Sequence, residues 1–384
     1  IEAEQYDLPA QKEEIYEAIS IFYGDLIKIS ESSKNNSRVG NADSIKSINE
    51  LLSGKTGYLK CHIMGKRCDY TGRTPLGPNR SLNFGYVAPP NEFKNITMME
   101  KVTTYNLEDL RNYSQEGNII FLCPSKGKLA GRKLKFDISK HTLNVGDTVH
   151  RKIRNGDSIL FNRQPTLHRQ GMLGYVCDFQ DKFSIGVHLS STSGHNADFD
   201  GDEGNVHVLQ DTAANLEAKF VMSSINCIMS FTNSSPQASL VYNSITGAFL
   251  LTREEVMFTK KEFEEGLNSI YKYAKNDYVK NNYATLEQRI KNTSVKMYSG
   301  RALFSVLFPP DFYYTRSKSG DVKVKIDNGI LQRGQLKKSD VGGSPNSIVQ
   351  CLWKWHGKQV TANYITAANF LLNWYLEKSG MAVG

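Results

Sequence analysis

Apolar residues recur at three- and four-residue steps from position 11 to 29 (Ile15, Ile19, Phe22, Leu26, Ile29), which predicts an amphipathic helix. A Ser- and Asn-rich stretch, Ser30 to Ser44, follows as an exposed loop, and Ile45 to Leu52 reads as a second short helix. Turns are expected from Pro75 to Pro90, and a helix from Asn106 to Gln115 with Leu107, Leu110 and Tyr113 on one face. Short strand-like runs come next: Asn118 to Cys123, Lys133 to Ile138, Asp147 to Ile153 and Ser158 to Asn162. Phe183, Ile185, Val187 and Leu189 alternate with smaller or polar residues, the period of a half-buried strand. Many short strands between 118 and 208 predict a small barrel or closed sheet and exclude a doubly wound fold. A helix is expected over Thr212 to Ser223, and the last third is more helical: Lys260 to Lys275, Thr285 to Lys291 and Gly300 to Leu307. A strand-like Val322 to Ile326 precedes a Gly-rich segment, 329 to 343. Thr361 to Lys378 carries Tyr364, Ala367, Ala368, Leu371, Leu372 and Tyr375 on one side, with Gly380 as a stop, and reads as a core helix.

Size and composition then narrow the class. At 384 residues, with 40% hydrophobic and 22% charged residues, the chain is globular and long enough for two or three domains. Its net charge of +8 favours a polyanionic partner such as nucleic acid. The six cysteines form no Cys-x-x-Cys pair, which argues against a zinc site and for a reducing, intracellular compartment. No apolar run approaches the roughly 18 residues that cross a bilayer, and no signal peptide is visible. A chain that starts at Ile1 and stops at Gly384 without a tail reads as a piece of something longer, or as a processed chain.

Three stretches carry candidate chemistry. Ser53-Gly54-Lys55-Thr56-Gly57 looks like the end of a phosphate-binding loop, but position 49, where that motif needs Gly, is Asn. Around it Lys55, Lys60, Lys66, Arg67, Arg73 and Arg80 alternate with Gly54, Gly57, Gly65, Gly72 and Gly77. Such a pattern suits a backbone that bends close to phosphates, or else a solvated basic loop. Leu160 to Arg169 reads as a strand that ends in a turn set by Pro165 and presents Arg163 and Gln164; the Arg fork suits sugar hydroxyls or phosphate. In Asn196-Ala-Asp-Phe-Asp-Gly-Asp-Glu203 three carboxylates stand at i, i+2 and i+4. A helix would splay them around its axis, whereas a tight loop eased by Gly201 can turn all three to one point, with Phe199 as an apolar anchor. Close carboxylates call for a hard divalent cation between them; a solvated acidic turn is the alternative. A calcium loop fails: counted from Asp198, position 6 is Glu203 and position 12 is Leu209, where Gly and Glu are required.

Taken together, Met64-Gly-Lys-Arg-Cys-Asp-Tyr-Thr-Gly-Arg-Thr74, Phe161 to Arg169 and Asn196 to His207 resemble the largest subunit of multisubunit DNA-directed RNA polymerases. Phe-Asn-Arg-Gln-Pro and Asp-Glu-Gly-Asn-Val-His look like the eukaryotic, archaeal or large-DNA-virus branch. Weaker, collinear similarity runs from about residue 45 to the end. The resemblance implies an α+β fold: a clamp-base or switch-like segment over 1–74, a double-psi β-barrel region over 75–225, and a mostly helical pore-side region over 226–384. It implies that Asp198, Asp200 and Asp202 hold a catalytic Mg2+ at the tip of a barrel loop, a second ion arriving with the nucleoside triphosphate. It further implies that Arg163 and Asn196 read the ribose hydroxyls, with Gln164 and Pro165 beside them, and that Lys66, Arg67 and Arg73 lie close to template-strand phosphates. Expected partners are the second-largest and smaller polymerase subunits, the remaining portions of the largest subunit, DNA template, RNA transcript and NTPs, with no membrane. The expected place is the nucleus, or the cytoplasm or virion for a viral enzyme.

The departures from the family pattern are packing changes: Gly204 where Met is usual, Tyr70 for Phe, Cys68 for Val and Gly72 for a small residue such as Ala. No zinc-binding clamp motif, bridge helix or trigger loop is found, so the chain resembles the central part of that subunit. Two other classes fit less well. A single-chain RNA-dependent RNA polymerase would share the barrel and an Asp-x-Asp-Gly-Asp loop but lack the stretches at 64–74 and 161–169. A non-catalytic nucleic-acid-binding module would have no use for three adjacent negative charges beside a polyanion.

Overall fold

The computed structural model describes residues 9–27, 48–52, 54–274, 277–291, 293–318 and 321–381. The loop expected over Ser30 to Ser44, Ile29, Ile45 to Ser47 and Lys275 lie outside them. The chain divides into two compact units, Ile1–Asp69 and Tyr70–Gly384. In the first, α1 (Pro9–Ile27) and α2 (Ile48–Leu52) take up the two predicted helices, and a π-helical turn spans Leu59–Ile63. Ile19, Tyr58, Ile63 and Met64 are exposed.

The second unit begins with β1 (Thr71–Pro78), β2 (Tyr86–Ala88) and β3 (Thr97–Lys101), followed by α3 (Leu107–Gln115). Then come β4 (Ile119–Cys123), β5 (Leu134–Lys135), β6 (Thr148–Lys152), β7 (Ser158–Asn162), β8 (Met172–Cys177) and β9 (Ile185–Val187). A one-turn helix, α4 (Thr192–His195), leads to β10 (Glu203–Val208) and α5 (Thr212–Phe220). Six of these strands close a barrel in the order β1-β10-β7-β8-β2-β9. Four of its joints are antiparallel; β2 with β8 and β1 with β9 are parallel, so the barrel is mixed. Period-two alternation builds its interior: Ile159 and Phe161 on β7 face Tyr175 and Leu173 on β8, and Val206 on β10 pairs with Phe161. All of these are buried.

The barrel is therefore present, but its membership differs from the sequence-based expectation. Three of the runs read as barrel strands, β4, β5 and β6, instead form a four-stranded sheet with β3, in the order β3-β6-β4-β5. That sheet packs with α3 around its own small core of Val102, Leu110, Ile119, Leu122, Leu143 and Val149. The barrel recruits residues 71–78, expected as a basic, turn-rich loop. Gly72 and Gly77 serve packing there: a Cβ on Gly72 would stand 2.4 Å from the Phe93 ring, and one on Gly77 2.8 Å from the Ser184 hydroxyl. The run from Phe183 to Leu189 is a strand only over Ile185–Val187; those three are buried while Phe183 is 88% exposed, so the alternation ends where the barrel wall ends.

The remaining third is a helical body with one small sheet. It comprises α6 (Asn243–Leu251), α7 (Lys260–Ala274), α8 (Asp277–Ala284), α9 (Leu286–Ile290) and α10 (Gly300–Ser305), then β11 (Tyr314–Lys318), β12 (Asp321–Asp327) and β13 (Ile330–Arg333), then α11 (Lys338–Val341) and α12 (Ile348–Ser379). The last helix starts thirteen residues before the predicted Thr361 and continues across a kink at Gly357, whose φ of 83° lies outside the helical region. Stacked Phe308, Phe312 and Tyr364 rings, with centroids 5.0 and 5.5 Å apart, anchor it in the main core. No helix among the described residues is long and apolar enough to cross a membrane.

Candidate metal and nucleotide site

The carboxylate loop is a bridge from α4 to β10, and each of its residues has a local reason to be where it is. Asn196 ends α4 in the left-handed region (φ 48°, ψ 43°), a conformation that Asn tolerates better than most residues. Its N–H donates to the Ser193 carbonyl (3.3 Å), and that of Ala197 donates to Thr192 (2.9 Å). Ala197 is buried and Phe199 packs against the barrel core, so the alternate residues Asp198, Asp200 and Asp202 turn outward together. Gly201 takes φ 121°, which a side chain would strain. The loop is closed onto the barrel where the Leu76 N–H of β1 donates to the Asp202 carbonyl at 2.7 Å.

One oxygen from each of Asp198, Asp200 and Asp202 lies within 4.8 Å of the others, and no other His, Cys, Asp or Glu group of this kind occurs among the described residues. Electrostatics divides the three. Asp198 is held above the usual aspartate range, first by a hydrogen bond shared with Asp200, then by desolvation and the charges of Asp200 and Asp202. Asp202 is held below it by Arg163, which donates from Nε at 2.6 Å and from Nη2 at 3.0 Å, and by the Asp198 N–H at 3.1 Å. Asp202 thus accepts two bonds at Oδ2 and one at Oδ1, and a carboxylate offers about four lone-pair positions. Oδ1 keeps one for an ion. The donor set, three carboxylates facing solvent with one cation beside them, fits a hard divalent ion.

Arg163 itself leaves the end of β7, and its backbone N–H donates to the Gly171 carbonyl at 3.2 Å. The fork that the sequence offered to a sugar is here engaged with Asp202. Gln164 and Pro165 follow in an exposed turn across a cis peptide bond. Lys66 and Arg67 are exposed residues of the first unit, whereas Arg73 lies on β1 of the second. Its Nε donates to Glu203 Oε2 at 2.5 Å. Glu203, adjacent to the third aspartate, is thereby committed to Arg73, a pairing that only the β1–β10 alignment creates.

Behind the loop lies a buried support that the motifs did not single out. His195 is 4% exposed, and burial pushes its pKa down to about 4. Its Nδ1 meets the Gly171 carbonyl at 3.3 Å and its Nε2 meets the Tyr175 hydroxyl at 2.8 Å. A carbonyl only accepts, so Nδ1 carries the proton and Nε2 accepts from the tyrosine. The Phe161 ring stands edge-on to the imidazole, centroids 4.8 Å apart.

A closed barrel presents three carboxylates on one loop, with a guanidinium from the end of the neighbouring strand beside them, a donor set compatible with a metal site. Comparison with known proteins agrees. The chain matches RNA polymerase Rpb1, domain 2, over residues 65–224 and RNA polymerase Rpb1, domain 3, over residues 227–384. It is 30% identical over 360 residues to DNA-directed RNA polymerase II subunit RPB1-A of Trypanosoma brucei brucei, covering 90% of this chain and 20% of that one. It is 26% identical to the probable DNA-directed RNA polymerase II subunit RPB1 homolog of Invertebrate iridescent virus 6, covering 88% of this chain and 41% of the relative. DNA-directed RNA polymerase I subunit RPA190 of Saccharomyces cerevisiae is 26% identical, over 92% of this chain and 24% of its own length. The chain therefore belongs to the family of RNA polymerase largest subunits, whose domain 2 and domain 3 regions it contains. It spans between about a fifth and two fifths of the length of these relatives.

Proposed function

We propose that this chain is the active-site portion of a DNA-directed RNA polymerase, catalytic when assembled with a second-largest subunit, smaller subunits and the remaining parts of its own subunit. What supports this most is the convergence of Asp198, Asp200 and Asp202 on one loop of the barrel, in a chain that belongs to the largest-subunit family. We take the barrel as a double-psi β-barrel, with residues 1–74 as the clamp-base or switch-like segment, 75–225 as the active-site region and 226–384 as the pore side. The reaction is nucleotidyl transfer: the RNA 3′ oxygen bonds to the α-phosphorus of an NTP, the bond to the β-phosphate oxygen breaks, and pyrophosphate leaves.

Asp198, Asp200 and Asp202 would hold Mg2+. Bound there, the ion supplies Lewis-acid chemistry: a lower pKa for the attacking hydroxyl and a counter-charge for the phosphate. A second Mg2+ would come with the triphosphate. Asp200 and Asp202 hold the Asp198 carboxyl above the usual aspartate range, a repulsion that a bound cation would offset, and Asp202 is kept charged in advance by Arg163. Arg163 and Asn196 flank the carboxylates from β7 and α4, which suits a pair that recognises ribose hydroxyls, with Gln164 and Pro165 beside them. Lys66, Arg67 and Arg73 would neutralise template phosphates. The relatives' kinds point to the nucleus, or to cytoplasm or virion for a viral enzyme.

The test is Asp200→Ala in the assembled enzyme. Nucleotide addition should fall to background while the subunits still co-purify; wild-type rates from this variant would sink the assignment.

A further inference from the structure

The Gly171 carbonyl is a crowded acceptor. It takes the Arg163 N–H at 3.2 Å, the Asn162 Nδ2 at 2.9 Å and the His195 Nδ1 at 3.3 Å. Asn162 and His195 are each 4% exposed, so water cannot replace either donor easily. Three donors on one carbonyl exceed its two lone pairs, so the position of each depends on the other two. The three come from two elements: Asn162 and Arg163 from the end of β7, His195 from the end of α4. The far nitrogen of His195 is pinned by the Tyr175 hydroxyl on β8, in the barrel interior. Asn196 is the next residue, held left-handed. The imidazole therefore ties the start of the carboxylate loop and the base of Arg163 to one fixed point.

We infer that His195, oriented by Tyr175, is a positioning residue that sets the spacing between Arg163 and Asn196, and with it the discrimination of ribo- from deoxyribonucleotides. This rests on the polymerase reading above. His195 touches no substrate; it acts through the Gly171 carbonyl and the chain direction at Asn196. The competing account is that the ring only fills space between Phe161 and Tyr175.

Side-chain geometry separates the two accounts. An Asn amide reaches the position of Nδ1 and a Gln amide reaches that of Nε2, so His195→Asn keeps the Gly171 bond and His195→Gln keeps the Tyr175 bond. His195→Phe keeps the ring and loses both. Single-nucleotide addition with matched NTP and dNTP is measured in the assembled polymerase carrying each variant, beside Asp200→Ala. The ratio of kcat/KM for NTP over dNTP should fall about five- to tenfold in His195→Phe and His195→Gln, through a higher KM for NTP alone. His195→Asn should retain most of the ratio. Tyr175→Phe removes one oxygen and should lower it about two- to fivefold, which keeps the idea testable if the His195 variants do not assemble.

An unchanged ratio in His195→Phe, or in Tyr175→Phe where that variant stands in, overturns the inference. So does an equal loss toward NTP and dNTP in every variant, the signature of a space-filling ring. Activity that survives Asp200→Ala refutes the active-site reading itself, and so is distinguishable from a failure of the His195 inference alone.

Discussion

Among the individual residues, the three carboxylates are alike in sequence and unlike in state. Asp202 is kept charged by the Arg163 fork, whereas Asp198, hydrogen-bonded to Asp200 and beside Asp202, is held above the usual aspartate range. Because Asp198 titrates above the usual aspartate range, protons compete with the ion from a higher pH than they would at an isolated aspartate. Affinity for Mg2+ or Mn2+ should therefore fall as pH falls toward and below that raised value, and binding should release protons. Calorimetric titrations of the polymerase in two buffers of different ionisation enthalpy check this; equal heats in both would contradict it. The pattern Asp-x-Asp-x-Asp was readable from spacing alone, since side chains of alternate residues in a non-helical loop share a face. Arg163 was visible as a candidate, but its bond to Asp202 was not, because 39 residues separate them in the chain.

For the secondary-structure elements, the packing departures become concrete. Gly204 on β10 has no room for a side chain, since a Cβ there would lie 2.4 Å from the Phe161 ring and 2.6 Å from Leu76. Phe161 in turn packs on His195. Gly204→Ala should destabilise the barrel by about 1–3 kcal/mol and lower Tm, the usual cost of overpacking a closed core. An unchanged Tm would mean that Phe161 and Leu76 move aside freely. The helices α3, α7, α9 and α12 were legible because their apolar stripes have period 3.6, and β7 because Ile159, Leu160 and Phe161 form a short apolar run. Strands β1, β2, β8 and β10 were not read as strands. Gly72, Pro75, Gly77 and Pro78 in β1 look like turn residues, and in β1 the glycines instead admit Phe93 and Ser184.

On the scale of the whole molecule, the excess of +8 charges and the basic stretch through residue 80 point to a polyanion. Replacing Lys66, Arg67 and Arg73 together by Ala should lower the salt dependence of DNA binding by the polymerase, with the log–log slope falling about 0.9 for each phosphate that is no longer neutralised. A slope equal to wild type would refute their placement on phosphates. Arg73 contributes least in this picture, because Glu203 already holds it. What the sequence determined by itself is the chemistry: which residues could hold an ion, that they share a face, that a barrel of short strands carries them, and the family they resemble. These are local properties, written in spacing, periodicity and short motifs. Only the tertiary structure decided which strands close the barrel, that Arg163 reaches Asp202, that Arg73 reaches Glu203, and that His195 and Tyr175 meet behind the loop. The three side-chain pairs join residues 20 to 130 positions apart. Partners at such distances depend on strand order and register, which follow from how the whole core buries its apolar surface and leave no local pattern to read.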